Sequence, residues 1–272
     1  MEYGTDERKD KVSVRTLQMM KKKGEKIAAL TAYDALFAEF LDEWMDIILV
    51  GDSLGMVIAG YDTTIPVTMN QMVLHTQYVR RGTRHALLVA DMPFLSYQVS
   101  PEEAVKNAGR LLKEGGAEAV KLEGGKYIVD AVKRCVQAGI PVMGHLGLTP
   151  QSIHAFGGWQ TRAKKEAEAQ QLKEDALILQ DAGIFSLVLE KIPATLAEEV
   201  TQSLNIPTIG IGAGNKTDGQ ILVTQDMLGL YEKIKPKFVR KYTELSGFIR
   251  EALKHYQEDV KSGAFPSEEE SF

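Results

Sequence analysis

Short apolar segments alternate with amphipathic segments along most of the chain. Between most of the apolar segments, hydrophobic residues recur at every third or fourth position, which is typical of helices packed on one face. The apolar segments themselves are rich in Val, Ile, Leu and Ala, as expected for strands of a parallel sheet covered on both faces. Eight such runs predict strands at 26–31, 46–51, 86–91, 119–123, 141–145, 185–190, 208–212 and 220–224.

Eight consecutive strand–helix units favour closure into a parallel (β/α)8 TIM barrel. An open, doubly wound sheet is the alternative fold that the same alternation allows. Local signals agree with the helices: Pro101 follows Ser100 at a predicted helix start, and Gly115 and Gly116 mark its end. Further helices are predicted over 170–180 and 195–204. We therefore predict an α/β barrel.

Three segments lie outside the repeat. A short helix over 13–23 is expected to cap the amino-terminal mouth of the barrel, and a long amphipathic helix over 243–261 forms a C-terminal helical extension. The acidic tail 262–272 is expected to lack structure because of its composition. The chain is thus interpreted as a single barrel domain over 1–272, with polar termini at 1–12 and 262–272.

Composition narrows the class of protein. The chain has 272 residues, of which 44% are hydrophobic and 25% charged, which excludes disorder of the whole chain. A net charge of −5 argues against an extended basic surface for nucleic acid. Apolar runs of about six residues are too short to span a bilayer, which takes about 20. With a polar start and the single cysteine Cys135, the chain is expected to be soluble and cytoplasmic, without a disulfide framework.

Ionisable residues end five consecutive predicted strands, the second to the sixth. Because parallel strands of a barrel end at one rim, where active sites lie, we expect these side chains to meet there. Lys121 and Glu123 are two positions apart on one strand and therefore point to the same side. The residues concerned are Asp52 (followed by Ser53), Asp91, Lys121, Glu123, His145 and Glu190.

Each of these residues also has a structural interpretation. Asp52 and Asp91 could cap helices or turns, where aspartate is favoured. Lys121 and Glu123 could form an ion pair that serves only stability, and His145 could be a hydrogen-bonded core residue. Glu190 could end an exposed strand. Five coincidences at one rim nevertheless favour a common site over five separate structural roles.

Converging carboxylates repel one another, and a divalent cation would relieve that repulsion. Oxygen ligands, without a cysteine cluster or a closely spaced histidine pair, favour Mg²⁺ over zinc. Such a site suits a chelating 2-oxo acid, since the metal stabilises developing enolate charge. A carboxylate outside the metal site could then remove the proton next to the carbonyl.

Two glycine-rich stretches have less specific interpretations. The stretch 210–215 follows the seventh strand and is either a phosphate-binding loop or a tight turn. Gly157 and Gly158 lie in the long loop 149–164, which suggests a mobile lid, with a surface insertion as the alternative.

Several segments together resemble the ketopantoate hydroxymethyltransferase (3-methyl-2-oxobutanoate hydroxymethyltransferase) family. The resemblance runs from about residue 13 to the end of the chain, and the segment around His145 is its most specific part. The matching segments are LTAYD (30–34), VGDSLGM (50–56), ADMPF (90–94), VKLEGG (120–125), GHLGLTPQS (144–152), VLE (188–190), IGIGAGN (209–215), DGQ (218–220), PKF (236–238) and FPSEEESF (265–272).

The resemblance implies a Mg²⁺-dependent barrel enzyme whose family members commonly form decamers. It implies that Asp52, Asp91 and Glu123 bind the metal, that Glu190 is the general base, and that His145 makes a polar contact. Substrate-binding residues carried over in the same way are Asp52, Ser53, Asp91 and Lys121, with His145 beside them. The implied reaction transfers a hydroxymethyl group from 5,10-methylenetetrahydrofolate to 3-methyl-2-oxobutanoate through a Mg²⁺-stabilised enolate, giving 2-dehydropantoate in pantothenate biosynthesis.

The chain departs from the family pattern at 159–164, which concerns lid closure and folate contacts and leaves the metal and base positions untouched. Two other functions stay open. One is a Mg²⁺-dependent 2-oxo acid lyase or mutase of the phosphoenolpyruvate mutase/isocitrate lyase type, although Cys135 lies in a predicted helix and not in the lid signature of those lyases. The other is a binding or sensing module for a 2-oxo acid, which would not need Glu190.

Overall fold

Eight parallel strands form a closed barrel. The computed structural model describes residues 10–233 and 236–272. The strands pair in sequence order, and β1 pairs with β8 to close the sheet, so the open doubly wound alternative is excluded. Their bounds are β1 (Ile27–Thr31), β2 (Ile47–Val50), β3 (Leu87–Asp91), β4 (Ala119–Glu123), β5 (Val142–Gly147), β6 (Ser186–Glu190), β7 (Thr208–Ile211) and β8 (Gly219–Leu222).

Helices follow most strands, as the alternation predicts, and the (β/α)8 barrel is confirmed. They are α1 (Val14–Lys23), α2 (Ala35–Asp42), α3 (Leu54–Val57), α4 (Met69–Gly82), α5 (Pro101–Lys113), α6 (Val129–Gln137), α7 (Ile153–Phe156), α8 (Glu166–Asp181) and α9 (Ala194–Ser203). Among the described residues, no helix has both the length and the apolar character needed to cross a bilayer.

The ends of α5 show how local sequence places these elements. Ser100 accepts a hydrogen bond from the Glu103 backbone N–H, and Pro101 occupies the first helical position, where its missing N–H costs nothing. The helix stops at Lys113, shortly before Gly116, which has a φ of +80°. This left-handed conformation favours glycine and turns the chain towards β4.

The amino-terminal part of the barrel interior is apolar. Alternate residues of the strands form one buried cluster, and Leu17 of α1 is completely buried in it. The side chain of Lys21 pairs with Asp218 at 2.7 Å, which fixes α1 to the loop before β8. The predicted cap over the amino-terminal mouth is therefore confirmed. The cluster consists of Val12, Leu17, Ile27, Ala29, Ile47, Leu49, Leu87, Val89, Ala119, Met143, Phe185, Val188, Ile209 and Ile221.

The chain divides into two compact units, one ending at Leu222 and one comprising Val223–Phe272. The second unit contains α10 (Thr224–Met227) and α11 (Leu245–Ser262), the latter close to the predicted 243–261. In α11, which is described throughout, no residue is buried. The single domain over 1–272 stays a prediction.

The tail is more ordered than its composition predicts. Residues Glu268–Glu270 form a 3₁₀ turn. The Ser267 and Glu270 side chains each accept a hydrogen bond from the other residue's backbone N–H, which forms a capping box. In a disordered segment these two N–H groups would be bonded to water instead. The expected lack of structure is therefore wrong at 268–270 and stays a prediction for the rest of the tail.

Candidate active site

Side chains from neighbouring strands meet at the carboxyl end of the barrel. The register of the sheet pairs Asp91 of β3 with Lys121 of β4, and Glu123 of β4 with His145 of β5. Glu190 ends β6, the next strand. Because these residues lie near the carboxyl ends of adjacent strands, their side chains reach one another. We call Asp52, Asp91, Lys121, Glu123, His145 and Glu190 the rim cluster.

A continuous series of polar contacts runs across four strands of the rim cluster. Lys121 Nζ lies 3.1 Å from Asp91 Oδ1 and 3.6 Å from Glu123 Oε1. His145 Nδ1 lies 3.1 Å from the same Glu123 oxygen, and its Nε2 lies 3.2 Å from Glu190 Oε2. Lys121 Nζ is also 3.2 Å from His145 Nδ1. The structure thus brings these five predicted residues together.

Asp52 and Ser53 follow β2 and enter the site from its side. The Asp52 backbone N–H donates to Asp91 Oδ2 at 3.0 Å, and neither aspartate side chain caps a helix. The Ser53 hydroxyl lies 2.8 Å from the Tyr33 hydroxyl. Gly51 permits this turn, because a Cβ there would lie 2.6 Å from Ser53 Oγ. Asp52 therefore joins the rim cluster, while Ser53 lies at its edge.

Burial and neighbouring charges shift the pKa values of three acidic residues in the rim cluster. The pKa of Asp52 lies well above its usual value because of burial and repulsion by Asp91 and Glu123. Burial also raises the pKa of Asp91, although Lys121 counteracts it. Glu123 shows the opposite balance: burial raises its pKa, but His145 and Lys121 lower it further, to a value below the usual one.

The pKa values of the two basic members of the rim cluster lie above their usual values. Burial lowers the pKa of Lys121, but the charges of Asp91, Glu123 and Asp52 outweigh it, and the pKa lies above its usual value. For His145, burial and Lys121 lower the pKa, while the neighbouring carboxylates raise it above its usual value. The positive charge of Lys121 therefore lies among the carboxylates. It does not fully offset the cost of burying Asp52 and Asp91, whose pKa values stay raised.

Three of the carboxylates have the chemistry of a cation site. Asp91 Oδ1 is buried and, among the described residues, has no hydrogen-bond partner, although Lys121 Nζ lies nearby. In the described part of the chain, no group of three or more His, Cys, Asp or Glu side chains already has the arrangement of a metal site. Asp52, Asp91 and Glu123 nevertheless fit a hard cation, because they offer buried oxygens and repel one another.

Two residues that the sequence did not single out contact the rim cluster. The Gln151 side-chain amide donates to Asp52 Oδ2 at 2.9 Å, and the Tyr97 hydroxyl lies 2.7 Å from Gln151 Oε1. Gln151 belongs to the segment 144–152 that carries the family resemblance, so that segment was the available signal. Tyr97 lies in a loop after β3 and had no such signal.

The predicted lid segment is tied to the end of β6. The Lys191 ammonium contacts the backbone carbonyl of Trp159, and the Arg162 backbone N–H donates to the Lys191 carbonyl at 2.9 Å. The Arg162 guanidinium stacks over the Phe156 ring at 3.8 Å from its centroid. The segment that departs from the family pattern thus lies beside Glu190, and its mobility stays a prediction.

The glycine-rich stretch after β7 has the geometry of a tight turn. Gly214 has a φ of +79°, and a Cβ there would come within 2.5 Å of the Ala194 Cβ. The Gln220 side chain donates to the Gly214 carbonyl at 2.9 Å. These contacts account for the glycine at 214 without a phosphate.

A parallel barrel with buried carboxylates, a lysine and a histidine gathered at its carboxyl rim has the architecture of a barrel enzyme. The family model described as ketopantoate hydroxymethyltransferase matches residues 11–268. The chain therefore belongs to the ketopantoate hydroxymethyltransferase family, which confirms the resemblance carried by its motifs.

Curated relatives agree over nearly the full length. A 3-methyl-2-oxobutanoate hydroxymethyltransferase of Syntrophus aciditrophicus (strain SB) is 58% identical, covering 96% of this chain and 97% of its own. A protein of the same name from Caldicellulosiruptor saccharolyticus is 56% identical, covering 97% of this chain and 100% of its own.

Solved structures with the same fold are more distant. A phosphonopyruvate hydrolase complexed with oxalate and Mg²⁺ has a TM-score of 0.61 at 14% identity, covering 94% of this chain and 92% of its own. A 2,3-dimethylmalate lyase of the phosphoenolpyruvate mutase/isocitrate lyase superfamily has a TM-score of 0.58 at 16% identity, covering 91% and 88%. At these identities the likeness supports the barrel fold alone.

Proposed function

We propose that this chain transfers a hydroxymethyl group from 5,10-methylenetetrahydrofolate to 3-methyl-2-oxobutanoate, giving 2-dehydropantoate for pantothenate biosynthesis. Family membership and the names of the relatives support the substrate. The observation that carries the proposal is the contact series from Asp91 through Lys121, Glu123 and His145 to Glu190. The series supports a site that combines carboxylates able to hold a cation, the charge of Lys121 and, in Glu190, a carboxylate available as a base.

Asp52, Asp91 and Glu123 would hold Mg²⁺, since all three carboxylates are buried and two have raised pKa values. A bound divalent cation would supply Lewis-acid stabilisation of the negative charge that develops on the oxo acid. Mg²⁺ usually keeps open positions beside one or two carboxylates, and the substrate oxygens would fill them. The fit of these residues to a cation supports the metal dependence.

Glu190 is proposed as the general base that removes the C3 proton of the oxo acid. Its side chain keeps 14% of its exposure, whereas that of its neighbour His145 keeps 3%. A base must reach the substrate and also be held in place. The 3.2 Å contact with His145 Nε2 would hold the Glu190 carboxylate in place, and its remaining exposure would let it reach the substrate.

Lys121 and Ser53 are proposed to hold the substrate carboxylate, with Asp52 and Asp91 contributing at the same site. Lys121 keeps its charge because its pKa lies above the usual value. The Ser53 hydroxyl lies at the edge of the cluster, where Tyr33 orients it. With the carboxylate fixed at one end, C3 of the substrate is directed to the base at the other.

Proton exchange tests the proposed function directly. We expect the protein to exchange the C3 proton of 3-methyl-2-oxobutanoate for deuterium in D2O when Mg²⁺ is present, as followed by proton NMR. Excess chelator should abolish the exchange, and added Mg²⁺ should restore it. Adding 5,10-methylenetetrahydrofolate should then yield 2-dehydropantoate. Full exchange in excess chelator would refute the metal dependence, and no exchange under any condition would refute the enolate chemistry.

The lyase or mutase alternative has weaker support. It rests on neighbours of at most 16% identity among those described above. Cys135 is completely buried within α6 and does not lie at the rim. A pure binding module would have no use for a carboxylate placed as Glu190 is, and turnover in the NMR experiment would exclude it.

The proposal includes a cytoplasmic homo-oligomer, with a decamer as the expected form and no nucleic-acid or membrane partner. The exposed apolar side chains of α11, such as Phe248 and Leu253, support an assembly because water solvates them poorly. Light scattering of the purified protein would measure the number of subunits.

A further inference from the structure

Gln151 links two of the three carboxylates of the proposed cation site. It is buried in the 3₁₀ turn after β5. Its backbone N–H donates to Glu123 Oε2 at 3.0 Å. Its side-chain Nε2 donates to Asp52 Oδ2 at 2.9 Å and to the Met92 carbonyl at 2.8 Å. One residue thus fixes an oxygen of a carboxylate from β4 and an oxygen of a carboxylate after β2.

The orientation of the Gln151 amide is determined by its partners. Its Oε1 accepts from the Tyr97 hydroxyl at 2.7 Å and from Gln98 Nε2 at 3.2 Å. Turning the amide over would place Oε1 against Asp52 Oδ2 and the Met92 carbonyl, which are both acceptors. The amide is therefore held with its donors towards Asp52.

Tyr97 supplies the donor that sets this orientation. It is buried, and its hydroxyl accepts from the Glu123 backbone N–H at 3.0 Å. The Tyr97 hydroxyl oxygen lies 2.7 Å from Gln151 Oε1 and 3.1 Å from the Glu123 carbonyl oxygen, so the shorter contact is the one to Gln151.

We propose that Gln151, aligned by Tyr97, is a positioning residue of the divalent-cation site. Each of its two donors holds one carboxylate oxygen and so limits rotation of the Asp52 and Glu123 side chains. Hydrogen-bond partners that orient ligands from outside the coordination sphere typically change metal affinity by about 10- to 100-fold when removed. This inference rests on the proposed function, since it assumes that these carboxylates bind the metal.

The test measures metal affinity directly. Gln151→Met removes the amide but keeps the length of the side chain, and Tyr97→Phe removes only the hydroxyl. Mn²⁺ titration followed by electron paramagnetic resonance, with Mg²⁺ competition, gives the affinities. We expect about 10- to 100-fold weaker binding for Gln151→Met and a smaller loss for Tyr97→Phe. The double variant should lose less affinity than the two single losses combined, because Tyr97 acts in part through Gln151.

Gln77→Met is the matched control. The Gln77 side chain also donates to a backbone carbonyl, that of Glu114, but lies outside the rim cluster. This variant should bind Mn²⁺ as the unchanged protein does. Equal metal affinity in both Gln151→Met and Tyr97→Phe would overturn the positioning role while leaving the proposed function intact. Failure of the unchanged protein to bind Mn²⁺ would overturn both.

Thermal unfolding separates positioning from structural support. A structural role lowers the midpoint temperature equally with and without metal. A positioning role reduces the increase that saturating Mg²⁺ produces, because ligand stabilisation depends on the dissociation constant. If Gln151→Met does not fold, Tyr97→Phe carries the same comparison. An undiminished Mg²⁺-dependent increase in the variant that folds would contradict the proposal.

Discussion

The two ends of the barrel interior are built from the same strands but have opposite chemistry. At the amino-terminal end, Leu87 and Val89 of β3 join an apolar cluster beneath Leu17. Two residues further along β3, Asp91 enters a site of buried charges. Apolar burial stabilises the first end, whereas buried carboxylates at the second are costly unless they are paired. On β3, the residue that stabilises the apolar end and the residue that belongs to the charged site are thus only two positions apart.

The largest effect should come from the base. Glu190→Gln should slow C3 deuterium exchange by about 10²- to 10⁴-fold, since it removes the proposed proton acceptor. Binding of 3-methyl-2-oxobutanoate, measured by calorimetry, should persist because Lys121 and the metal ligands are unchanged. Glu199→Gln is the control, because Glu199 pairs with Lys173 outside the rim cluster. Exchange at the unchanged rate in Glu190→Gln would remove Glu190 from the mechanism.

A cavity at the opposite end should affect stability alone. Leu17→Ala should lower the free energy of unfolding by about 2–5 kcal/mol, because Leu17 is completely buried. Deuterium exchange per folded molecule should not change, since the rim cluster is untouched. Met19→Ala on the same helix is the control, because Met19 is 43% exposed. Urea unfolding gives the difference, and a loss of exchange in folded Leu17→Ala would show that the two ends are coupled.

The contrast between the ends also explains what the sequence could predict. Strand period and strand ends depend on local pattern, and they were sufficient to place Asp91, Glu123 and Glu190 in one site. Tyr97 and Gln151 reach the site from loops, and their contacts depend on how two distant segments fold over the rim. The pattern of apolar and polar positions carries no signal for such contacts, and for Gln151 only the family segment 144–152 offered one.

The lid segment and the tail were hard to predict for two different reasons. The ties between Arg162 and Lys191 join segments far apart in sequence, so no spacing announces them. In the tail, composition indicated disorder, whereas a capping box between Ser267 and Glu270 orders one turn. Composition averages over residues and misses a single local motif of this kind.

Loss of the rim's lysine should weaken substrate binding. Lys121→Met keeps the side-chain length and should raise the KM for the oxo acid by roughly 10- to 100-fold, which is the value of a charge-assisted hydrogen bond. Lys216→Met, at an exposed position, is the control and should leave KM unchanged. An unchanged KM in Lys121→Met would place the substrate carboxylate elsewhere.

The same lysine predicts a pH dependence. A pKa held above the usual value means that Lys121 keeps its charge to higher pH than a free lysine does. A free lysine has a pKa of about 10.4. The KM of the unchanged protein should therefore not rise through loss of this charge as the pH increases from about 7 to about 10. A KM that rises through this range in step with a single deprotonation would contradict the raised pKa of Lys121.

The smallest expected effect concerns the reactivity of a thiol in the layer of helices that surrounds the barrel. Cys135 in α6 is completely buried, and burial raises its pKa to about 11. Because the thiolate is the reactive form, a thiol reagent at pH 8 should label the folded protein only at the rate of opening. In denaturant, the same reagent should label one thiol per chain at once. Rapid labelling of the native protein would show that the helix layer opens while the barrel interior stays folded. The helices around the barrel would then be less rigid than their contacts indicate.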